Sequence, residues 1–476
     1  MQAKKKILLF TLPVLVSFIL HFRVINIDLI GYHVWRQTQT QTVIYNFSDP
    51  SSSIFHPQKF DVRNGPNELL YEFPLYQWSV AKLNAIMGYS VAHSRLFSFS
   101  AFCLLLIGFY KLVRSHTNER YALAVNAALC FSPLLYYYCI NPLPDILALA
   151  LGVWSLFFLI SYLKQRRYIH LIFSVIIWSV ATLVKLPFII MAAPIIPFYL
   201  SLIKEKNYGL MLKITGTYFL AVIPPLLWYM QAIPTWKGNG ITEGMFNNQK
   251  NWITILDYMQ FHLISSLPEL LTNYAACAFL FAGTYYCIKH FKRSAAVKKY
   301  FPLVMLTVIY FLFEVNMIEK THDYYLMPFI PLVFLVVAKG IQVLYESKFK
   351  IIVFVGLALV PLTAWLRIDH RWNTNEPGFN TDYLNYGNYL QSKISDKDLC
   401  IIDFDESRFI SLYYLKRNGF SLSENELNEA LLTELYNKGA KYLITENLSL
   451  NLNSFSTFNF QQIFKNNLCV YLISKK

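Results

Sequence analysis

Long apolar stretches dominate this chain, and each is long enough to cross a lipid bilayer. A membrane-spanning helix needs about 20 apolar residues, and only 15% of the 476 residues are charged, well below the level of a soluble domain. The pattern excludes an ordinary soluble protein and predicts an all-α polytopic membrane domain of about eleven spans. The predicted spans lie near residues 7–24, 95–113, 120–139, 145–163, 168–184, 187–203, 211–231, 267–288, 300–317, 325–345 and 350–367.

The net charge of +14 reflects membrane topology, so no nucleic-acid partner is expected. Lysine and arginine cluster in every second connection, which is typical of cytoplasmic loops, and this alternation predicts a cytoplasmic N-terminus. Lys4–Lys6 precede an apolar run as in a signal peptide, but His21, Phe22 and Arg23 stand where small residues would be needed for cleavage. We therefore expect an uncleaved anchor. The basic connections are residues 111–120, 164–167, 204–213, 289–299 and 348–350.

The chain divides into a predicted transmembrane domain, residues 1–367, and a small extracytoplasmic α/β domain, residues 368–476. Strand-like runs begin at Leu399, Lys441 and Leu468, with helical stretches near 407–417 and 424–438 between them. Two outer segments, 25–94 and 232–266, are too polar to span and rich in aromatic residues, which suits helices lying in the membrane interface. Cys400 and Cys469 could form a disulfide, although we expect two buried thiols.

The first segment with candidate chemistry follows the first span and contains Asp28, His33, Arg36 and Gln39. On a helix, Arg36 and Gln39 share one face, with Asp28 and His33 near its start. A guanidinium group can hold a phosphate bidentately, and a carboxylate or imidazole can accept a proton. The alternative is a solvated interfacial helix whose arginine extends to water.

Four further polar groups lie at the predicted outer boundary of the membrane. Glu72, just before Pro74, and Asp145, at the start of the fourth span, could act in chemistry or simply cap their helices. Lys185 could bind a phosphate or extend from a helix end to water. The segment from Glu319 to Tyr325 could position a substrate, or form a cluster without a ligand. No P-loop, GxGxxG, HExxH, GxSxG or paired-cysteine metal motif occurs.

Taken in order, these features resemble the GT-C class of membrane glycosyltransferases, specifically bacterial relatives of protein O-mannosyltransferases and of the lipid A aminoarabinose transferase. The resemblance covers residues 7–345. It rests on one span, a long outer loop and a set of short segments in a fixed order along one membrane face. These are Trp35-Arg36-Gln37, Glu72-x-Pro74-Leu75-Tyr76, Asp145 at the start of the fourth span, Lys185-x-Pro187 and His322-Asp323-Tyr324-Tyr325.

The resemblance implies transfer of a sugar from a polyprenyl-phosphate carrier to an extracytoplasmic lipid, glycan or protein, with inversion at the anomeric carbon. It implies a location in the bacterial inner membrane. A departing phosphate needs positive charge, and an acceptor hydroxyl needs a base to take its proton. The resemblance therefore implies two kinds of site residue, a base and a set of substrate and phosphate ligands. The base is sought among Asp28, His33 and Glu72; the substrate and phosphate ligands would be Arg36, Gln37, Gln39, Tyr76, Asp145, Lys185, His322, Asp323, Tyr324 and Tyr325.

Two departures from the family pattern bear on these roles. Residues 31–46 contain no Asp or Glu, and Gln39 stands where an acid is expected. Glu72 replaces a phosphate-binding lysine, so Arg36 and Lys185 would have to supply that charge. No cofactor is required by the sequence, although His322, Glu319 and Asp323 leave room for a divalent metal. The alternatives are a transporter or flippase, or a polysaccharide polymerase or assembly protein.

Overall fold

The fold is taken from a computed structural model that describes residues 3–63, 65, 67–236 and 250–476. Residues 237–249 of the second predicted outer segment thus lie outside the described part. The chain forms two compact units: Met1–Ile25, Leu70–Tyr76 and Arg95–Asp369 make the first, and Asn26–Leu69, Gln77–Ser94 and His370–Lys476 make the second. The predicted division into domains at residue 367 stays a prediction.

The first unit is helical, and the predicted all-α membrane class is confirmed. Within the described residues, eight helices are long and apolar enough to cross a bilayer, each matching a predicted span. The protein is therefore an integral membrane protein. The eight are Lys4–Val24, Val91–Arg114, Asp145–Gln165, Leu186–Lys204, Tyr208–Trp236, Ala295–Phe313, Asp323–Tyr345 and Lys350–Trp372.

The other three predicted spans are shorter or broken. The stretch 120–139 forms two helices, Glu119–Cys130 and Pro133–Tyr138, because a residue that precedes proline disfavours the helical conformation. Tyr168–Val184 is an apolar helix of 17 residues. The stretch near 267–288 belongs to a helix pair, Trp252–Thr272 and Tyr274–Lys289, bent by 96°.

Asn273 forms the bend between those two helices. Its φ of 93° breaks the helix, and it is completely buried. The side-chain amide donates to the carbonyl oxygens of Phe131 (2.9 Å) and Val360 (3.0 Å), while its oxygen accepts from the amide of Ala275 (3.0 Å). The bond to Ala275 pairs a backbone amide at the bend, as a membrane interior requires. The two others join the bend to the backbone at Phe131 and Val360.

Close helix contact in the first unit depends on glycine. Gly283, on helix Cys277–Lys289, and Gly340, on helix Ile330–Tyr345, face the partner helix so closely that a Cβ on either would collide with a backbone carbonyl, of Val336 or Phe279. Small residues that let backbones approach are typical of membrane helix pairs.

The shorter elements of the first unit complete its helical framework. Most continue or precede a longer helix. They are Phe22–Val24, the 3-10 helix Leu186–Ile195 leading into Ile196–Lys204, Tyr208–Ala232 with Ile233–Trp236, Trp252–Phe261 with the π-helix His262–Thr272, Tyr274–Ala276, Val315–Ile318, the 3-10 helix Asp323–Phe329 and Lys350–Ile368 with Asp369–Trp372.

The second unit contains a five-stranded mixed sheet in the order β2-β1-β3-β5-β4. Ile402 of β1 pairs in parallel with Ile444 of β3, which pairs antiparallel with Val470 of β5. Apolar clusters cover both faces, which explains why β1 and β3 read as continuous apolar runs. The strands are β1 Leu399–Asp403, β2 Gly419–Ser421, β3 Ala440–Thr445, β4 Phe458–Lys465 and β5 Cys469–Lys475.

The predicted α/β fold of the C-terminal part is confirmed, and it contains further elements that were not predicted. Strands β2 and β4 were not predicted, nor was a helix over Thr381–Lys393. The two predicted helices are shorter, at Ile410–Leu415 and Glu429–Asn437. The remaining helices of this unit are Val34–Asn46 and the 3-10 turn Leu452–Ser454, and Leu75–Met87 and Val91–Arg114 contribute residues to both units. Cys400 and Cys469 are buried free thiols.

Much of the predicted first outer loop folds with the C-terminal sheet. The amide of Val62 donates to the carbonyl of Gly419 (2.9 Å), and the amide of Gly419 donates to the carbonyl of Phe60 (3.0 Å). The side chains of Leu29 and Phe60 enter the apolar cluster of the sheet. Interfacial helices were predicted for this loop, whereas residues 26–69 are part of the second unit.

Candidate functional site

A cavity of about 360 Å³ in the first unit brings three of the predicted segments together. Its size suits a small-molecule site. The polar lining includes Glu72, Asp145 and Lys185. The other lining residues are aromatic and aliphatic: Leu186, Pro187, Phe188, Tyr229, Ile233, Trp236, Tyr310, Phe313, Tyr324, Tyr325, Met327 and Pro328, together with Glu314.

Lys185 is the cation of this cavity. Its Nζ lies 3.4 Å from Oδ1 of Asp145 and 3.9 Å from Oε2 of Glu72. Both carboxylates are buried, with exposed fractions of 5% and 8%. The rings of Tyr324 and Tyr325 lie 5.9 and 5.8 Å from the same nitrogen, close enough for a cation–π contribution.

Local sequence accounts for how each charged group reaches the cavity. Asp145 is the first residue of helix Asp145–Gln165 and follows Pro144, so its carboxylate sits where the helix dipole favours negative charge. Lys185 follows helix Tyr168–Val184 in an extended conformation (φ −153°), and the next helix begins directly after it with Leu186-Pro187, where proline suits the first helical positions. Asp145 therefore both complements the dipole of its helix and lines the cavity.

Backbone bonds hold Glu72 beside Lys185. The amide of Phe73 donates to the carbonyl of Leu183 (3.1 Å), and the indole of Trp228 donates to the carbonyl of Tyr71 (3.0 Å). Glu72 thus lies between two residues anchored to other helices.

The residues of the predicted segment 319–325 do not all line the cavity. Tyr324 and Tyr325 line the cavity, whereas Asp323 is buried and accepts a hydrogen bond from the hydroxyl of Tyr138 (2.5 Å). His322 is half-buried and its ring contacts both tyrosine rings at about 6 Å. Tyr76, also predicted, is completely buried with its hydroxyl 2.8 Å from Oγ of Ser98.

The candidates of the first outer segment belong to the second unit. Arg36 and Gln39 are together on one face of helix Val34–Asn46, and the guanidinium donates to the Gln39 side chain. Gln37 donates to the carbonyl of Tyr32 (3.1 Å). The helix is buried along most of its length, so the alternative of a solvated interfacial helix is wrong.

Asp28 and His33 precede that helix. The Asp28 carboxylate accepts from the amide of Leu29 (2.7 Å) and from the hydroxyl of Tyr413 (3.1 Å). His33 adopts a left-handed conformation (φ 56°) at the helix start and packs against the ring of Tyr32 at 4.0 Å. Asp28 therefore also joins the first outer segment to helix Ile410–Leu415 inside the second unit.

Glu314 was not among the predicted site residues, yet it lines the cavity directly after the helix Ala295–Phe313. Burial raises the pKa of this carboxyl to about 7, against the opposing charge of Lys185. The signal was present, because an acidic residue within the predicted span 300–317 is a functional-site candidate by default.

Metal binding was considered at His322, Glu319 and Asp323. Over the described stretches of the chain, no three His, Cys, Asp or Glu side chains are grouped in a way that could hold a metal ion. In the cavity, the ammonium of Lys185 lies between the carboxylates of Asp145 and Glu72, where a cation would balance their charge.

The fold is that of the GT-C membrane glycosyltransferases, which confirms the predicted resemblance. A family model described as dolichyl-phosphate-mannose-protein mannosyltransferase matches residues 71–229, the stretch that carries Glu72, Asp145 and Lys185. No curated protein matches the chain in sequence.

Among solved structures, ArnT from Cupriavidus metallidurans in the apo state matches with a TM-score of 0.67 and 10% identity, covering 98% of this chain and 97% of that one. The same protein bound to undecaprenyl phosphate gives 0.69 and 10%, covering 99% and 98%. The Archaeoglobus fulgidus oligosaccharyltransferase in the apo form gives 0.60 and 13%, covering 93% of this chain and 70% of that one. At these identities the likeness is one of fold.

Proposed function

We propose that this protein is a membrane glycosyltransferase that moves a sugar from a polyprenyl-phosphate carrier to an extracytoplasmic acceptor, with inversion at the anomeric carbon. The observation that carries the proposal is the cavity in which an ammonium group meets apolar and aromatic walls. The matching fold includes a relative solved with undecaprenyl phosphate.

The cavity suits the donor on two counts. Lys185 offers positive charge to the phosphate, which gains negative charge as the sugar departs; such stabilisation is a large part of catalysis. The apolar walls near Phe188, Ile233 and Phe313 suit the first isoprene units, while Tyr324 and Tyr325 offer hydroxyls and ring faces to a sugar.

Asp145 and Glu72 would hold the ammonium of Lys185 in position, at 3.4 and 3.9 Å. We infer that Arg36 supplies further charge to the phosphate, with Gln37 and Gln39 beside it. For the base, the candidates from the sequence are Asp28, His33 and Glu72. The basic connections support a cytoplasmic N-terminus and an outer position for the site. The proposed location in the bacterial inner membrane rests on the family resemblance.

The direct test is transfer by the purified protein in lipid nanodiscs with a panel of radiolabelled polyprenyl-phosphate sugars and extracted envelope acceptors. We expect labelled product together with free polyprenyl phosphate. Lys185→Gln should lower the rate at least a hundredfold, in the range seen for the loss of one electrostatic group. Lys438→Gln is the matched control, because Lys438 is an exposed lysine paired with Glu434 (2.6 Å) in the second unit.

Failure of every donor to give transfer or hydrolysis would refute the proposal. Transbilayer movement of the lipid without any transfer would instead identify a flippase. Equal transfer rates for the wild type and Lys185→Gln would mean that the protein is a glycosyltransferase but that Lys185 and its cavity take no part in the reaction.

A further inference from the structure

The backbone of Glu314 is fixed by hydrogen bonds at the wall of the cavity. Its amide donates to the carbonyl of Tyr310 (2.9 Å), and its own carbonyl accepts from the amides of Met317 and Ile318 (2.9 Å each). The residue ends one helix and begins the short helix Val315–Ile318. The side chain is 9% exposed and lines the same cavity as Lys185.

The carboxyl group of Glu314 has an oxygen that the fold does not use. Oε2 is buried and makes no hydrogen bond. Asp145 and Glu72, by contrast, each direct an oxygen at the ammonium of Lys185. A buried carboxylate without a partner is costly, so an unpartnered carboxyl group in the wall of a cavity indicates a group that meets a ligand.

We propose that Glu314 accepts the proton of the acceptor hydroxyl during sugar transfer. This inference rests on the proposed function and assigns the role of base to an acidic residue, a residue type that is absent from residues 31–46. In the step, the acceptor oxygen forms a bond to the anomeric carbon while the bond from that carbon to the phosphate oxygen breaks. The bonding electrons leave with the polyprenyl phosphate, and the hydroxyl proton passes to Glu314, which later returns it to water.

The surroundings of Glu314 suit proton transfer near neutral pH. Burial raises the pKa of its carboxyl to about 7, and Lys185 opposes that rise. A general base is most effective when its pKa lies close to the working pH. The other titratable groups that line the cavity are Glu72, Asp145, Lys185, Tyr229, Tyr310, Tyr324 and Tyr325.

The test uses full-length protein in nanodiscs and a donor that the wild type has been shown to use. Glu314→Gln keeps the size of the side chain and removes its basicity, so we expect kcat to fall about 10²- to 10⁴-fold with little change in the KM for the donor. The wild-type kcat/KM should rise from pH 6 to 8 about a midpoint near 7, because kcat/KM follows the pKa of the free enzyme, and Glu314→Gln should lose this dependence. Glu314→Asp should recover part of the rate.

The matched control is Glu346→Gln. Glu346 likewise follows an apolar helix, Ile330–Tyr345, but it binds Gln342 and Tyr121 and does not line the cavity. We expect it to retain full activity. Thermal melting should show Glu314→Gln to be at least as stable as the wild type, because the change removes an unpaired buried charge.

Three results would overturn the assignment. One is a Glu314→Gln enzyme with near wild-type kcat and an unchanged pH profile. Another is a rise in KM with kcat intact, which would make Glu314 a sugar-binding residue instead. The third is an equal loss in the Glu346→Gln control. A wild-type protein without transfer activity would instead refute the proposed function. Because the wild type is assayed first, this outcome is distinguished from a failure of the Glu314 assignment.

Discussion

Lys185→Met removes the ammonium group from between two buried carboxylates while keeping a side chain of similar length. Asp145 and Glu72 are then left without their cation in a cavity with largely apolar walls. At an effective dielectric constant of about 20, unit charges at these two separations attract by about 5 and about 4 kcal/mol. Removing Lys185 also removes its own desolvation cost, so we expect a net loss of stability of about 3–5 kcal/mol, as for other buried pairs that lose one partner.

The free energy of unfolding can be measured by unfolding the purified protein in mixed micelles and following tryptophan fluorescence. Lys438→Met is the control, since an exposed pair with Glu434 contributes about 0.5 kcal/mol or less. Adding Glu72→Gln and Asp145→Asn to Lys185→Met should recover most of the loss, because no uncompensated charge remains. A loss below 1 kcal/mol for Lys185→Met, or no recovery in the triple variant, would refute the electrostatic reasoning.

Three further predictions concern stability. Gly340→Ala should lower the melting temperature and cost about 1–3 kcal/mol, because its Cβ would strike the facing helix; unchanged melting would contradict that contact. Tyr413→Phe should cost about 1.5–3 kcal/mol by removing a bond to the Asp28 carboxylate, and an equal cost in an Asp28→Asn background would show that the bond contributes nothing. The Arg63 guanidinium lowers the pKa of Glu426 from 4.5 to about 2, so the stability from this pair is present above about pH 4.5 and lost as pH falls toward 2. Glu426→Gln should flatten acid unfolding over that window, and an unaltered titration curve would argue against the pair.

The class of the protein followed from sequence because it depends on properties local to each segment. Apolar length predicts a spanning helix wherever it occurs, and eight of the predicted spans are continuous helices in the structure. The three exceptions also have local causes or limits. Ser132-Pro133 interrupts one span, Asn273 bends another, and Tyr168–Val184 is an apolar helix of 17 residues, shorter than the other eight.

The strands of the second unit were predicted where both faces are buried. Leu399–Asp403 and Ala440–Thr445 read as apolar runs because clusters cover the sheet on each side. Strand β4 escaped prediction because its inward and outward positions are mixed, with several exposed polar residues. The pairing of residues 60–62 with Gly419 could not be read from either segment, since each contributes backbone groups and no distinctive side-chain pattern.

The individual residues of the candidate site were predicted from the sequence, but only the tertiary structure shows that they form one site. Sequence alone identified Glu72, Asp145 and Lys185 as charges at the predicted membrane boundary. Only the packing of distant helices brings Lys185 within 4 Å of both carboxylates, because contacts between segments far apart in the chain leave no local periodicity. Glu314 is the clearest example of what the sequence shows and what only the tertiary structure shows. Its charge is visible in the sequence, but its burial, its unpartnered oxygen and its position on the cavity wall exist only once the helices have packed.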